Sequence, residues 1–274
     1  MSGTARRWRR GCGIGCGATA ALCLLLMGGG SLCVMRPFRD AISTRERLVA
    51  RFGADEDFTP AADGAVPADR LEAFLAVRRA VASMCGELDE VHSHFEAMGE
   101  FDGQEEVDKG AAMKAAWEAM KAAMGMGPKM GGFFGVRNAA LLEAGMGLGE
   151  YSYIYALAYG PRLRETGDDE AMLGIDFTPR VRRLLRRILE NQLAAMDAAG
   201  ERWRGSAERD HLVAEIARLE DGGGTPWEHG APAAVAASLA PRREEIDALF
   251  CADTASLELI RNESSFGGLG VRGE

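Results

Sequence analysis

The sequence predicts an all-α protein: one N-terminal transmembrane helix, then an extracytoplasmic domain of about six or seven helices packed through amphipathic faces. Three observations predict it. Residues 11–35 contain no charged side chain. Downstream, apolar residues recur at spacings of three and four, the helical period, rather than alternating. Only 7% of the chain is aromatic, while Ala, Leu, Met, Glu and Arg are plentiful. That mixture favours helix, because β-branched and aromatic side chains are the usual strand formers.

The uncharged run is long enough to cross a hydrocarbon core of about 30 Å. Arg6, Arg7, Arg9 and Arg10 precede it, and Arg36 and Arg39 follow it. The denser cluster sets residues 1–10 as a basic cytoplasmic tail and residues 11–35 as a signal-anchor contacting the lipid bilayer. In a bacterial cell, the setting its Arg- and Ala-rich composition suggests, this is an inner-membrane, single-pass protein with a periplasmic domain. No A-x-A cleavage site follows the apolar stretch, and Leu precedes both Cys23 and Cys33 where a lipoprotein signal needs a small residue. Gly13 and Gly17 have the spacing at which two such helices pack closely.

Charge narrows the function. The chain carries a net −9. Residues 1–40 hold six arginines and one acid, a net +5, which leaves −14 for the remainder. So acidic a domain repels phosphate backbones, which excludes nucleic acid as a partner.

Residues 36–66 read as a stalk or linker: 36–52 can continue as helix, and 53–67 are rich in Gly, Pro and Asp. The helical domain spans 67–260, and 261–274 form a flexible tail. The first domain helix is expected over 67–98, where Leu71, Phe74, Leu75, Val81, Cys85, Leu88, Val91, Phe95 and Met98 make one apolar stripe behind the first-turn residue Pro67. Arg78 interrupts that stripe and requires an acid partner or an edge position. A second helix is expected over 104–124, then a glycine-rich patch over 125–135. Residues 136–159 are apolar on most sides and predict a buried central helix. Residues 178–198 predict another, opened by Thr178-Pro179 and ended by Gly200. Shorter helices follow over 207–219, 232–239 and 241–260.

Of six cysteines, only Cys85 and Cys251 lie outside 11–35. In an oxidising compartment they either form one disulfide or remain two buried thiols; the sequence leaves both open.

Several constellations are candidates for chemistry. Tyr151, Tyr155 and Tyr159 share a helix face and line either a pocket, an interface or the core; Glu150 beside them is a candidate partner for Arg78. Glu90 and His94, four apart, can share a metal ion. Met120, Met124, Met126 and Met130 offer thioethers to Cu(I) or to an apolar peptide, with core filling as the alternative. Asp63 to Leu71 resembles the second half of an EF-hand loop. Thr59 and Arg70 stand where that loop needs carboxylates, so the oxygen cage for Ca²⁺ is missing. Arg180, Arg182, Arg183, Arg186 and Arg187 form a basic patch that faces the domain's own acids, lipid headgroups or an acidic partner.

There is no G-x-S-x-G, no Walker loop, no HExxH and no CxxC. The expected function is therefore a non-catalytic, membrane-anchored envelope module that binds another envelope protein or itself, without a cofactor. The alternatives are a small-molecule or metal-binding domain and, behind it, an enzyme using Arg78, Glu150 and the tyrosines.

Overall fold

The structure is a computed structural model and describes residues 39–86, 128–165, 178–222, 226–227 and 230–259. Every regular element among them is helical. In chain order these are α1 (39–52), α2 (Ala68–Ala82), α3 (128–144), α4 (Leu148–Glu165), α5 (Thr178–Ala198), α6 (Ala207–Glu220), α7 (Ala233–Leu239), α8 (Arg243–Ala248) and α9 (Ala252–Glu258). Short 3-10 turns lie at Asp55–Asp57 and Ala240–Arg242.

Residues 11–35, the tail 261–274, the helix expected over 104–124 and the candidate metal ligands Glu90, His94, Met120, Met124 and Met126 lie outside the described residues. No helix among the described residues is long and apolar enough to cross a membrane.

α4 is the axis of the domain. Residues 151–160 are buried without interruption, as the all-round apolar sequence requires of a helix surrounded by others. Around it gather Phe74 and Leu75 of α2, Leu184, Ile188 and Leu189 of α5, Leu212 of α6, Val235 and Leu239 of α7 and Ile246 of α8, all in one core cluster. A smaller cluster joins Ala41, Val81, Met84, Met130, Phe133, Phe134 and Leu257 where α1, α2, α3 and α9 meet.

Four expectations are corrected. The helix expected over 67–98 is interrupted after Ala82, capped at Ser83, and its residues 87–98 lie outside the described residues. The helix expected over 136–159 is two helices, α3 and α4, separated at Gly145, whose φ of +63° fits glycine and not the L residues around it. α3 also begins inside the patch read as glycine-rich connection, because its apolar residues, Met130, Phe133, Phe134 and Leu141, recur at helical spacing and find a core. The helix expected over 241–260 is interrupted at 249–251, between α8 and α9.

The fourth concerns 36–66. From residue 39 onward this segment is packed domain, not stalk. Ala41, Arg45 and Leu48 line the buried side of α1 at helical spacing. Arg45 pairs with Asp55 at 2.6 Å, both side chains almost fully buried. Asn191 of α5 donates to the carbonyls of Glu56 and Phe58 at 2.7 and 3.0 Å. The turn Asp55–Asp57 lies so close to α4 that a Cβ on Gly149 would sit 2.0 Å from the Asp55 carbonyl oxygen.

The elements whose signals were local match closely. α5 covers 178–198, and α6 starts at Ala207 behind Ser206, whose side chain accepts the Arg209 N–H. Pro67 and Pro232 immediately precede α2 and α7.

Candidate functional site

The densest polar constellation among the described residues is built on Arg78. The i, i+3/i+4 stripe of α2 puts this arginine on the same face as Phe74 and Leu75, so burying the stripe buries the guanidinium, 1% exposed. Its partners come from the far end of the chain. Glu258 on α9, 0% exposed, accepts from Arg78 Nη1, and the Leu249 carbonyl accepts from Nη2 at 2.7 Å. The Tyr151 hydroxyl accepts from Nη1 at 3.2 Å and donates to Glu258 Oε2 at 2.7 Å. Thr254 Oγ1 lies 3.4 Å from Glu258 Oε1.

The tyrosine row wraps this pair. The Arg78 guanidinium lies over the rings of Tyr155 and Tyr159, 5.2 and 5.5 Å from their centroids, which gives a desolvated cation a favourable quadrupole. Adjacent rings of the row also meet each other, at 5.9 Å for Tyr151–Tyr155 and 4.9 Å for Tyr155–Tyr159. The Tyr159 hydroxyl donates to the Ile246 carbonyl at 2.8 Å. The Tyr155 hydroxyl is buried with no hydrogen-bond partner.

Burial sets the electrostatics. It pushes the Tyr151, Tyr155 and Tyr159 pKa values up, with the Glu258 charge adding to the shift. Burial works to lower the Arg78 pKa, but Tyr151 and Glu258 beside it hold it raised. The result is a neutralised ion pair in a dry aromatic shell. It can orient α2, α4, α8 and α9 against one another. No side chain of the group is exposed.

Sequence reasoning placed Arg78 on an apolar face and placed the three tyrosines together, and the structure brings those four side chains into contact. Glu150 is the correction. It does not pair with Arg78; it takes Arg70 in a bidentate contact with both N–O distances 2.6 Å. Neighbouring helix positions are turned by about 100°, so with Tyr151 facing Arg78, Glu150 faces another side. Arg70 thereby has a structural partner. Asp63 Oδ1 accepts the Ala65 N–H in a tight turn at 3.1 Å, and the Gly64 carbonyl accepts from Tyr153. The EF-hand likeness thus corresponds to a turn before a helix.

Met130 is 6% exposed and lies in the smaller core cluster. Cys85 and Cys251 are joined in a disulfide, with Cα atoms 6.0 Å apart. Asp253 lies beside the two sulfurs in the one candidate metal-ligand group of the described residues; the disulfide leaves it no thiolate to offer. Two arginines of the α5 basic patch meet the domain's own acids: Arg186 contacts Glu190 and Glu220 at 3.6 and 3.1 Å, and Arg187 contacts Glu190 at 3.1 Å; Arg182 donates to the Gly222 carbonyl.

Glu258, Arg137 and Trp227 are among the buried groups that were missed. Glu258 gave no local signal beyond lying in a helical piece. Arg137 donates to the Leu257 and Glu258 carbonyls at 3.0 and 2.7 Å and lies over Phe134 at 5.1 Å; its spacing of three and four from Phe134 and Phe133 was the available clue. Trp227, in a Gly- and Pro-rich loop, was readable as a buried anchor only from its size. Compared with protein-family models, with characterised proteins and with solved structures, the chain has no match.

Proposed function

We propose that this chain is a single-pass membrane protein whose all-helical domain stands on the non-cytoplasmic side and acts by binding a partner protein or a second copy of itself, not by catalysis. One observation carries the reading. The residues best suited to chemistry, Arg78, Tyr151, Tyr155, Tyr159 and Glu258, are each at most 1% exposed, and Arg78, Tyr151 and Glu258 hydrogen-bond one another. A group sealed in this way organises a fold, so the work falls to the surface.

Two further observations support the placement. The uncharged run 11–35 with its flanking arginines supports an anchor with the N-terminus in the cytoplasm. The Cys85–Cys251 disulfide supports an oxidising compartment for the domain.

The test is crosslinking in native membranes, followed by affinity purification of the full-length chain and mass spectrometry. The reading expects one reproducible partner, or a defined homo-oligomer, that disappears when residues 39–259 are removed and the anchor kept. Recovery of a monomer alone contradicts it.

A further inference from the structure

The two ends of the disulfide are not equally placed. Cys251 is 5% exposed, whereas Cys85 is only half-buried. Asp253, half-buried as well, stands in the first turn of α9, which Cys251 immediately precedes. Its Oδ2 lies 3.6 Å from the Cys85 sulfur and 3.8 Å from the Cys251 sulfur. The contact is not a hydrogen bond, since the sulfurs are bonded to each other and carry no proton.

Opening a disulfide with a thiol is an anionic reaction. A thiolate attacks one sulfur, and a second thiolate departs. Here accessibility sets the order. A small thiolate attacks the Cys85 sulfur, the S–S bond breaks, and its electron pair leaves on the Cys251 sulfur. A second small thiolate then displaces Cys85 from the mixed disulfide. Two small thiols are oxidised to a disulfide, the two cysteines are reduced, and solvent supplies their protons. Both charged positions on this route adjoin Asp253. The incoming anion meets a carboxylate beside its target. The departing charge forms on a buried sulfur next to that carboxylate, where burial and a like charge both disfavour it. The start of a helix ordinarily favours a thiolate; α9 has only seven residues, and the acid in its first turn opposes that preference.

We propose that Asp253 shields the Cys85–Cys251 bond from anionic thiols. The bond fixes the start of α9, and α9 carries Glu258 into the network around Arg78. The shield therefore keeps that network assembled where small thiols are present. It is separate from the partner-binding reading and does not rest on it.

The test is the rate at which the bond opens in the full-length chain in lipid nanodiscs, read by differential alkylation of Cys85 and Cys251 and mass spectrometry. One reductant is glutathione, which attacks as an anion. The other is tris(3-hydroxypropyl)phosphine, which is neutral and brings no net charge to the sulfur. Two like charges about 4 Å apart in water repel enough to slow a reaction about fivefold. Asp253→Asn is expected to speed opening by glutathione by about that factor or more, and to leave the phosphine rate nearly unchanged. Asp253→Glu keeps most of the protection, and high salt narrows the gap between wild type and Asp253→Asn. A second measurement needs no substitution. At equal thiolate concentration, cysteamine, whose ammonium offsets its thiolate, is expected to outpace glutathione on the wild-type bond by more than it does on hydroxyethyl disulfide, which is small and neutral. An unchanged glutathione rate in Asp253→Asn overturns the proposal. So does equal acceleration by both reductants in a variant that melts like wild type, or a cysteamine preference no greater than that of the small disulfide.

Discussion

Arg78 and Glu258 lie 180 residues apart in sequence and form an ion pair in which neither side chain is more than 1% exposed. The pair ties α2 to α9, the last helix described. Removing one partner leaves an uncompensated buried charge, whereas removing both takes away the pair's charges and leaves the Tyr151 hydroxyl and the Leu249 carbonyl without these partners. Glu258→Ala is therefore expected to destabilise the domain by about 3–5 kcal/mol. Arg78→Met combined with Glu258→Leu is expected to recover part of that loss, the remainder being the cost of the unpaired Tyr151 hydroxyl and Leu249 carbonyl. Urea denaturation followed by circular dichroism checks both. An unchanged midpoint for Glu258→Ala would remove the pair from the account.

The Cys85–Cys251 bond holds the start of α9, and so the position of Glu258, against the segment that follows α2. It closes a loop of 166 residues. Replacing both cysteines by serine is expected to cost about 2–5 kcal/mol, and reduction of the native chain should lower the melting temperature similarly. Melting curves with and without a thiol reductant decide the point. No shift would mean that α9 is held without the bond.

All four tyrosines of the chain, Tyr151, Tyr153, Tyr155 and Tyr159, are buried, and burial raises each pKa. The folded state therefore holds these protons more tightly than the unfolded state, whose tyrosines titrate near pH 10. Their stabilising contribution is complete below about pH 10 and is lost as pH rises from there through the higher folded values. Tyrosinate absorbance should appear in one cooperative step together with loss of helical signal. A gradual rise near pH 10 in a folded protein would show the row to be accessible.

Gly149 and Gly135 make a paired test of packing. A Cβ on Gly149 would meet the Asp55 carbonyl oxygen at 2.0 Å, whereas one on Gly135 would meet nothing within 4 Å. Gly149→Ala should destabilise by about 1–3 kcal/mol or more, because backbone must shift. Gly135→Ala in helix α3 should stabilise by about 0.5–1 kcal/mol. Denaturation midpoints moving in opposite directions would bear out the close contact of α4 with the Asp55–Asp57 turn; equal shifts would contradict it.

These residues also mark what a sequence can reveal. Pro179 in the first turn and a stripe of Val, Leu and Ile define α5 because such signals are local. The same local logic put Arg78 and the tyrosines on apolar faces. It could not find Glu258, since nothing within reach of α9 in sequence states that its carboxylate meets a guanidinium in α2. It also credited Glu150 to Arg78, when one step round the helix sends it to Arg70. The packing of 39–66 was hidden for a related reason. Its Gly, Pro and Asp content describes a turn-rich connection correctly, but says nothing about which surface the turn lies on. Arg45 at helical spacing from Ala41 and Leu48 was the clue, identical in kind to that of Arg78.

The central claim is that the buried polar network is architecture and that function is exercised by binding at the surface. It is tested most directly by crosslinking wild type and the Arg78→Met, Glu258→Leu variant in native membranes. The account predicts the same partner or the same homo-oligomer from both, at comparable yield, provided the variant is folded. A folded variant that loses the crosslinked species, or a wild type that yields none, would contradict it.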